Sequence, residues 1–205
     1  EQLVSYVFGK EVANFKLGLL YPQHGIGLQA YRFDMHNPLA AKYYRDVDME
    51  NAHYCIAEMY CKQLGLEHAN LTYYINHRDA CLKQVSDNRK KAKTEFLKVL
   101  YGGKLSLYKE GYEDVEGEVK QTGTDLLYRI QAEMEKLVDK LWKINPDYHS
   151  IKTNKDGKLQ VLSKTHNGKY SLVSLLFQSE EREMLLFCVY LLSIYGRQLD
   201  VFIHD

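Results

Sequence analysis

The sequence predicts an α+β fold, a small antiparallel sheet carrying a mainly helical insertion. Three observations lead there. The strand-like segment "KYYRDVD" (42–48) ends in acidic residues, "QLDVFIHD" (198–205) ends in Asp205, and most of the chain between them has the apolar period of helices. That order implies a sheet that brings two carboxylates together, with helices projecting from it. The 205 residues are 45% hydrophobic, enough for a sizeable core.

Taken in order, residues 1–20 carry Val4, Val7, Phe8, Val12, Phe15 and Leu19 and read as a helix, followed by the loop "YPQHGIG" (21–27). Pro38 argues against one continuous helix over 28–42. After the first strand, Ala52, Ile56, Met59, Tyr60 and Leu64 have helical spacing, and Gly65 is a stop. A short helix over 70–84 and a basic one over 87–101 come next, and 103–121 is irregular and charged. Residues 122–144 form a long amphipathic helix with Leu126, Leu127, Ile130, Met134, Leu137, Val138 and Leu141 on its apolar face. Asp156-Gly157 and Asn167-Gly168 are two-residue turn signals that predict a small hairpin. A helix over 171–195 leads to the last strand. The divisions expected are 1–49, 50–170 and 171–205.

The 27 basic and 27 acidic residues balance, so no global field draws the chain to nucleic acid or membrane, and any such binding must come from local patches. The 17 tyrosines suit large, partly wet surfaces but carry no specific meaning. Cys55, Cys61, Cys81 and Cys188 show neither CxxC nor metal-ligand spacing, and read as buried free thiols of an intracellular, reducing compartment. No apolar run reaches the roughly 18 residues of a membrane span, and no signal peptide is visible. A start at Glu1 and an end inside an apolar run give the look of a piece of a longer chain.

Three segments hold residues suited to chemistry. In "DVDMENAH", Asp46 and Asp48 share one strand face, and a carboxylate at a strand end can hold Mg²⁺ together with substrate phosphates. The plain alternative is a solvated turn capping the next helix. "DVFIHD" ends in His204-Asp205, and by itself is an ordinary amphipathic strand. "NRKKAKTEFLKVLYGG" (88–103) places Arg89, Lys93, Phe96 and Leu100 on one helix face, with Leu97 and Tyr101 at its margin. Arg89 and Lys93 repel as i,i+4 like charges unless an anion such as a triphosphate sits between them; a charged surface helix is the alternative.

Together these segments resemble the family A DNA polymerases. Arg89, Lys93 and Tyr101-Gly102 stand at the spacing of that family's nucleotide-binding helix, "DMENAHYCIAEM" is similar to its first palm motif, and "IHD" to its His-Asp turn. The resemblance implies a palm-like sheet with a fingers-like helical insertion, and DNA synthesis from dNTPs on primer-template DNA by a two-metal mechanism. It implies Asp48 and Asp205 as ligands of two Mg²⁺ (or Mn²⁺) ions, with the Met49 carbonyl as a further ligand and Asp46 in support. Arg89 and Lys93 would contact the β- and γ-phosphates. Leu97, Tyr101 and His53 would line the nucleotide, and His204, Gln178 and Gly102 the primer-template. A thumb, and exonuclease or helicase/primase domains, would belong to the parent chain; no membrane partner is implied. The chain departs from the family at His53, where a Glu is common and crowds the 2′ position, and at Leu97, where an aromatic is usual.

Two rival readings remain. A DxD nucleotide-sugar glycosyltransferase would use Asp46 and Asp48 jointly, but leaves the 89–102 spacing and the His-Asp end without a role. A polymerase-like module kept for nucleic-acid binding would bind DNA without extending it.

Overall fold

A computed structural model describes residues 6–12, 15–22, 49–105, 121–155, 158–164 and 166–196. Its strands are β1 (Tyr6–Val12), β2 (Phe15–Pro22), β3 (Lys152–Lys155) and β4 (Lys158–Val161). Its α-helices are α1 (Ala52–Leu64), α2 (Ala69–Asn76), α3 (Arg78–Val85), α4 (Arg89–Leu100), α5 (Gln121–Ile144) and α6 (Gly168–Ile194).

The α+β expectation is corrected. The described residues are mainly helical, and their strands form only two separate antiparallel hairpins, β1 with β2 and β3 with β4. Each strand pairs with its sequence neighbour across a two-residue connection and with nothing else among the described residues, so no palm-like sheet is supported. The strands expected at 42–48 and 198–205 lie outside the described residues.

The first 22 residues also differ from expectation. Their apolar spacing fits a helix, yet they form β1 and β2, with Val12 opposite Phe15 and an irregularity between Phe8 and Lys10, at Gly9. Gly9 and Gly18 disfavour a helix, Phe15, Leu17, Leu19 and Tyr21 alternate with period two, and a glycine suits a bulge. In β3–β4, Lys155 stands opposite Lys158, leaving Asp156-Gly157 as the connection that its turn chemistry predicts. Asn167-Gly168 is not a second turn of that hairpin: α6 begins there, and the Asn167 carbonyl accepts from the Ser171 N–H at 2.9 Å.

The chain divides into two compact units, residues 53–175 and residues 1–52 with 176–205. In the first, α5 is the spine. Its Leu127, Ile130, Met134 and Leu137 are fully buried, and it packs on α2, α3 and α4. The segment expected as one helix over 70–84 breaks at His77, whose N–H bonds back to Tyr73 and Tyr74 while its carbonyl opens α3 by accepting from Cys81. The break lets α2 and α3 each turn an apolar face (Leu71 and Tyr74; Cys81, Leu82 and Val85) onto α5. Gly65, at φ +64, ends α1 as its stop signal predicts.

Glu133 lies on the buried face of α5 and caps α2 from a distance. Its carboxylate accepts from Asn70 N (3.0 Å), Asn70 Nδ2 (2.7 Å) and Leu71 N (2.9 Å), which satisfies donors that a helix start leaves open. Burial, with Glu133 and Glu58 nearby, pushes the Cys61 thiol up to about 12, so it stays protonated and inert. Cys81 is also buried and Cys55 half-buried, but Cys188 is exposed, contrary to the expectation of four buried thiols. In the second unit, the later turns of α6 expose Phe187, Tyr190 and Ile194, and Tyr195 just past its end is also exposed. Among the described residues no helix is long and apolar enough to cross a membrane.

Candidate functional site

The site is built on α4. Its N-cap is Asn88, whose Oδ1 accepts from the N–H groups of Lys90 (3.0 Å) and Lys91 (3.1 Å). That neutral cap is followed by Arg89, Lys90, Lys91 and Lys93 with no acidic residue in the first turn. Cations are unfavourable at a helix N-terminus, where the backbone dipole is already positive. The sequence therefore concentrates positive potential where an anion would be stabilised by charge and dipole together.

The face assigned to this helix from periodicity needs correction. Phe96 and Leu100 are buried, while Leu97 is 53% exposed and Arg89 and Lys93 are exposed. The outward stripe is thus Arg89, Lys93, Leu97, then half-exposed Tyr101, an unbroken i,i+4 series with its cations at one end and its aromatic at the other. From Lys93 to Tyr101 it runs about 12 Å. Ala92, Phe96, Val99 and Leu100 take the core side.

Two consecutive residues of α1 tie that helix to α4. Tyr54 donates to the Phe96 carbonyl at 2.7 Å inside a buried aromatic cluster, where Tyr74 stacks on Phe96 with ring centroids 4.1 Å apart. Burial holds the Tyr54 hydroxyl well above its usual pKa, so it remains a donor. One residue earlier, His53 Nδ1 is hydrogen-bonded to the Tyr101 hydroxyl, the two rings meeting edge to face. His53 and Tyr101 lie 48 positions apart in the chain, and the fold brings them into contact at the aromatic end of the stripe.

Gly102 follows Tyr101 at φ +69, and a Cβ there would stand 2.5 Å from the Tyr170 ring. Both the left-handed backbone and the ring exclude a side chain, so Gly102 seats Tyr170 and turns the chain out of α4. Gly102→Ala is expected to lower unfolding free energy by about 1 to 3 kcal/mol, as read by denaturant melts. A variant as stable as the parent contradicts the close approach.

At the cationic end, Arg89 Nη1 donates to Asp79 Oδ1 of α3 at 2.7 Å, both side chains being exposed. The Arg89 hydrogen bond and charge, with Arg78 and Lys83 adding, hold the Asp79 carboxyl below its usual range. Among the described residues Lys90, Lys91 and Lys93 make no ion pair.

The structure thus gathers Arg89, Lys93, Leu97, Tyr101, Gly102 and His53 on or beside one helix. Met49 and Gln178, both half-buried, belong to the other unit, and Asp46, Asp48, His204 and Asp205 lie outside the described residues. No group of three or more potential metal-ligating side chains occurs among the described residues. Sequence reasoning missed Asp79, because the helix break at His77 hides its relation to Arg89. It missed Glu133 as well, although a carboxylate at the apolar spacing of Ile130, Met134 and Leu137 was a visible signal.

Compared with protein-family models, curated proteins and solved structures, the chain matches none. The resemblance to family A polymerases rests on its motifs alone.

Proposed function

We propose that the protein carries out template-directed nucleotidyl transfer, DNA synthesis from dNTPs, with α4 as its nucleotide-binding helix. The observation that supports this best is the contact of His53 with Tyr101. The resemblance to family A polymerases implies that the two residues line the sugar side and the base side of a single nucleotide pocket, and no local pattern requires them to meet. The reading rests on this helical face and involves no palm-type sheet.

In it, the exposed cations at the start of α4 hold the triphosphate and neutralise charge that builds on the leaving pyrophosphate. Leu97 offers an apolar contact to the base, and Tyr101 closes the far end. The hydrogen bond between Tyr101 and His53 orients the imidazole, which stands where a carboxylate is usual. Asp48 and Asp205 would be the ligands of two Mg²⁺ (or Mn²⁺) ions, which supply Lewis-acid activation of the primer hydroxyl and the phosphates. Primer-template DNA is the partner.

The test is primer extension by the full-length protein with Mg²⁺ and dNTPs. Extension is expected, and Lys93→Ala is expected to raise the dNTP KM and lower kcat, together costing about 10- to 100-fold in kcat/KM. Template binding without extension favours the non-catalytic module, and unchanged constants for Lys93→Ala remove the phosphate role.

A further inference from the structure

Of the four cations that open α4, Arg89 is the one with a carboxylate partner among the described residues, and that partner comes from another helix. The Asp79 contact engages one guanidinium nitrogen, Nη1. A phosphate takes a guanidinium through two parallel N–H···O bonds and carries more charge, so it is the stronger acceptor. The side chains of Arg89 and Asp79 are 54% and 69% exposed, so exchanging one anion for the other disturbs no core packing. Asp79, once released, stays in the field of Arg78 and Lys83 and is not left as an isolated charge.

We propose that Asp79 is a built-in competitor for the polyphosphate: it holds Arg89 while the site is empty and gives it up to a phosphate of the incoming nucleotide. This inference rests on the nucleotide-binding reading of α4. Asp79 then sets affinity without touching the substrate. It keeps Arg89 aligned at the mouth of the site and makes weak anions, which cannot displace it, poor ligands. Inorganic phosphate would bind less well relative to a triphosphate than the four cations alone would allow.

The test is calorimetric titration of the full-length protein with inorganic tripolyphosphate, then with dATP, both with Mg²⁺. Asp79→Asn is expected to tighten binding about two- to fivefold, the range open to an exposed ion pair. Asp79→Glu, which can restore the pair, should bind like the parent. Arg89→Ala should weaken binding, and adding Asp79→Asn to it should change nothing more. Unchanged or weaker binding by Asp79→Asn overturns the proposal, as does equal tightening in the Arg89→Ala background, which would be a general effect of charge. Lys93→Ala separates the two levels. If it weakens binding while Asp79→Asn does not tighten it, only the competitor role fails. If Lys93→Ala and Arg89→Ala both leave affinity unchanged, the nucleotide-binding reading fails and the competitor role with it.

Discussion

Full-length protein carrying Asp48→Ala, or Asp205→Ala, is expected to lose nucleotide incorporation by on the order of a thousandfold or more, equivalent to about 4 kcal/mol of transition-state stabilisation. In a two-metal reaction such carboxylates would place the ions that lower the charge on the attacking and leaving oxygens. Binding of primer-template should change little, because phosphate contacts by basic side chains carry most nucleic-acid affinity. Far-UV circular dichroism should match the parent. The measurement is single-turnover incorporation of one dNTP at saturating Mg²⁺. Parental rates from either variant would remove the metal roles of both aspartates. If Mg²⁺-dependent thermal stabilisation came from a UDP-sugar and not from a dNTP, and Asp46→Ala and Asp48→Ala each removed it, the DxD chemistry of a nucleotide-sugar transferase would be favoured instead.

Glu133→Ala should lower the stability of the helical unit by about 3 to 4 kcal/mol. The carboxylate accepts three hydrogen bonds from the start of α2, and Leu71, one of the residues whose N–H it satisfies, is buried. Alanine leaves those donors without an acceptor and opens space in the face of α5 that packs on α2. Thermal melting should fall by on the order of 10 °C. Glu133→Gln keeps the shape and one carbonyl oxygen, so it should recover part of the loss. A loss under about 1 kcal/mol for alanine would mean that water replaces the carboxylate at the helix start. The same variant should leave the exposed stripe of α4 in place in whatever fraction remains folded, separating stability from site chemistry.

Local patterns were sufficient wherever a segment had one consistent period or one strong turn signal. The buried row of α5, from Leu126 to Leu141, follows from 3.6-residue spacing sustained over many turns. Gly65 ends its helix at positive φ, as glycine's freedom allows, and the pairing of Lys155 with Lys158 brackets the Asp156-Gly157 turn signal. The pattern was ambiguous over residues 1–20, where apolar residues fit both a helical and an alternating period; the two glycines and the pairing of neighbouring strands settled it as a hairpin. It misled over 70–84, where no proline or glycine marks the break at His77. For α4 the helix was legible but not its orientation. Phe96 and Leu97 are adjacent and both apolar, and only packing against Tyr54 and Tyr74 decided that Phe96 goes inward. The candidate site shows the same division, since the concentration of charge on Arg89, Lys90, Lys91 and Lys93 is plain in the sequence, whereas the pairing of Arg89 with Asp79 is not.

What the amino-acid order determined by itself is a mainly helical middle, a basic helix start, an aromatic-glycine end to that helix and a short hairpin near residue 156. These depend on interactions within a few residues, which repeat with the period of the element and can be counted along the chain. What only the tertiary structure decided is which groups from distant segments meet: His53 with Tyr101, Tyr54 with the Phe96 carbonyl, Glu133 with the start of α2, and Asp79 with Arg89. Those contacts form because burying the apolar faces of α1 to α5 fixes the helices against one another, and polar side chains at their edges then pair with whatever that packing places within reach.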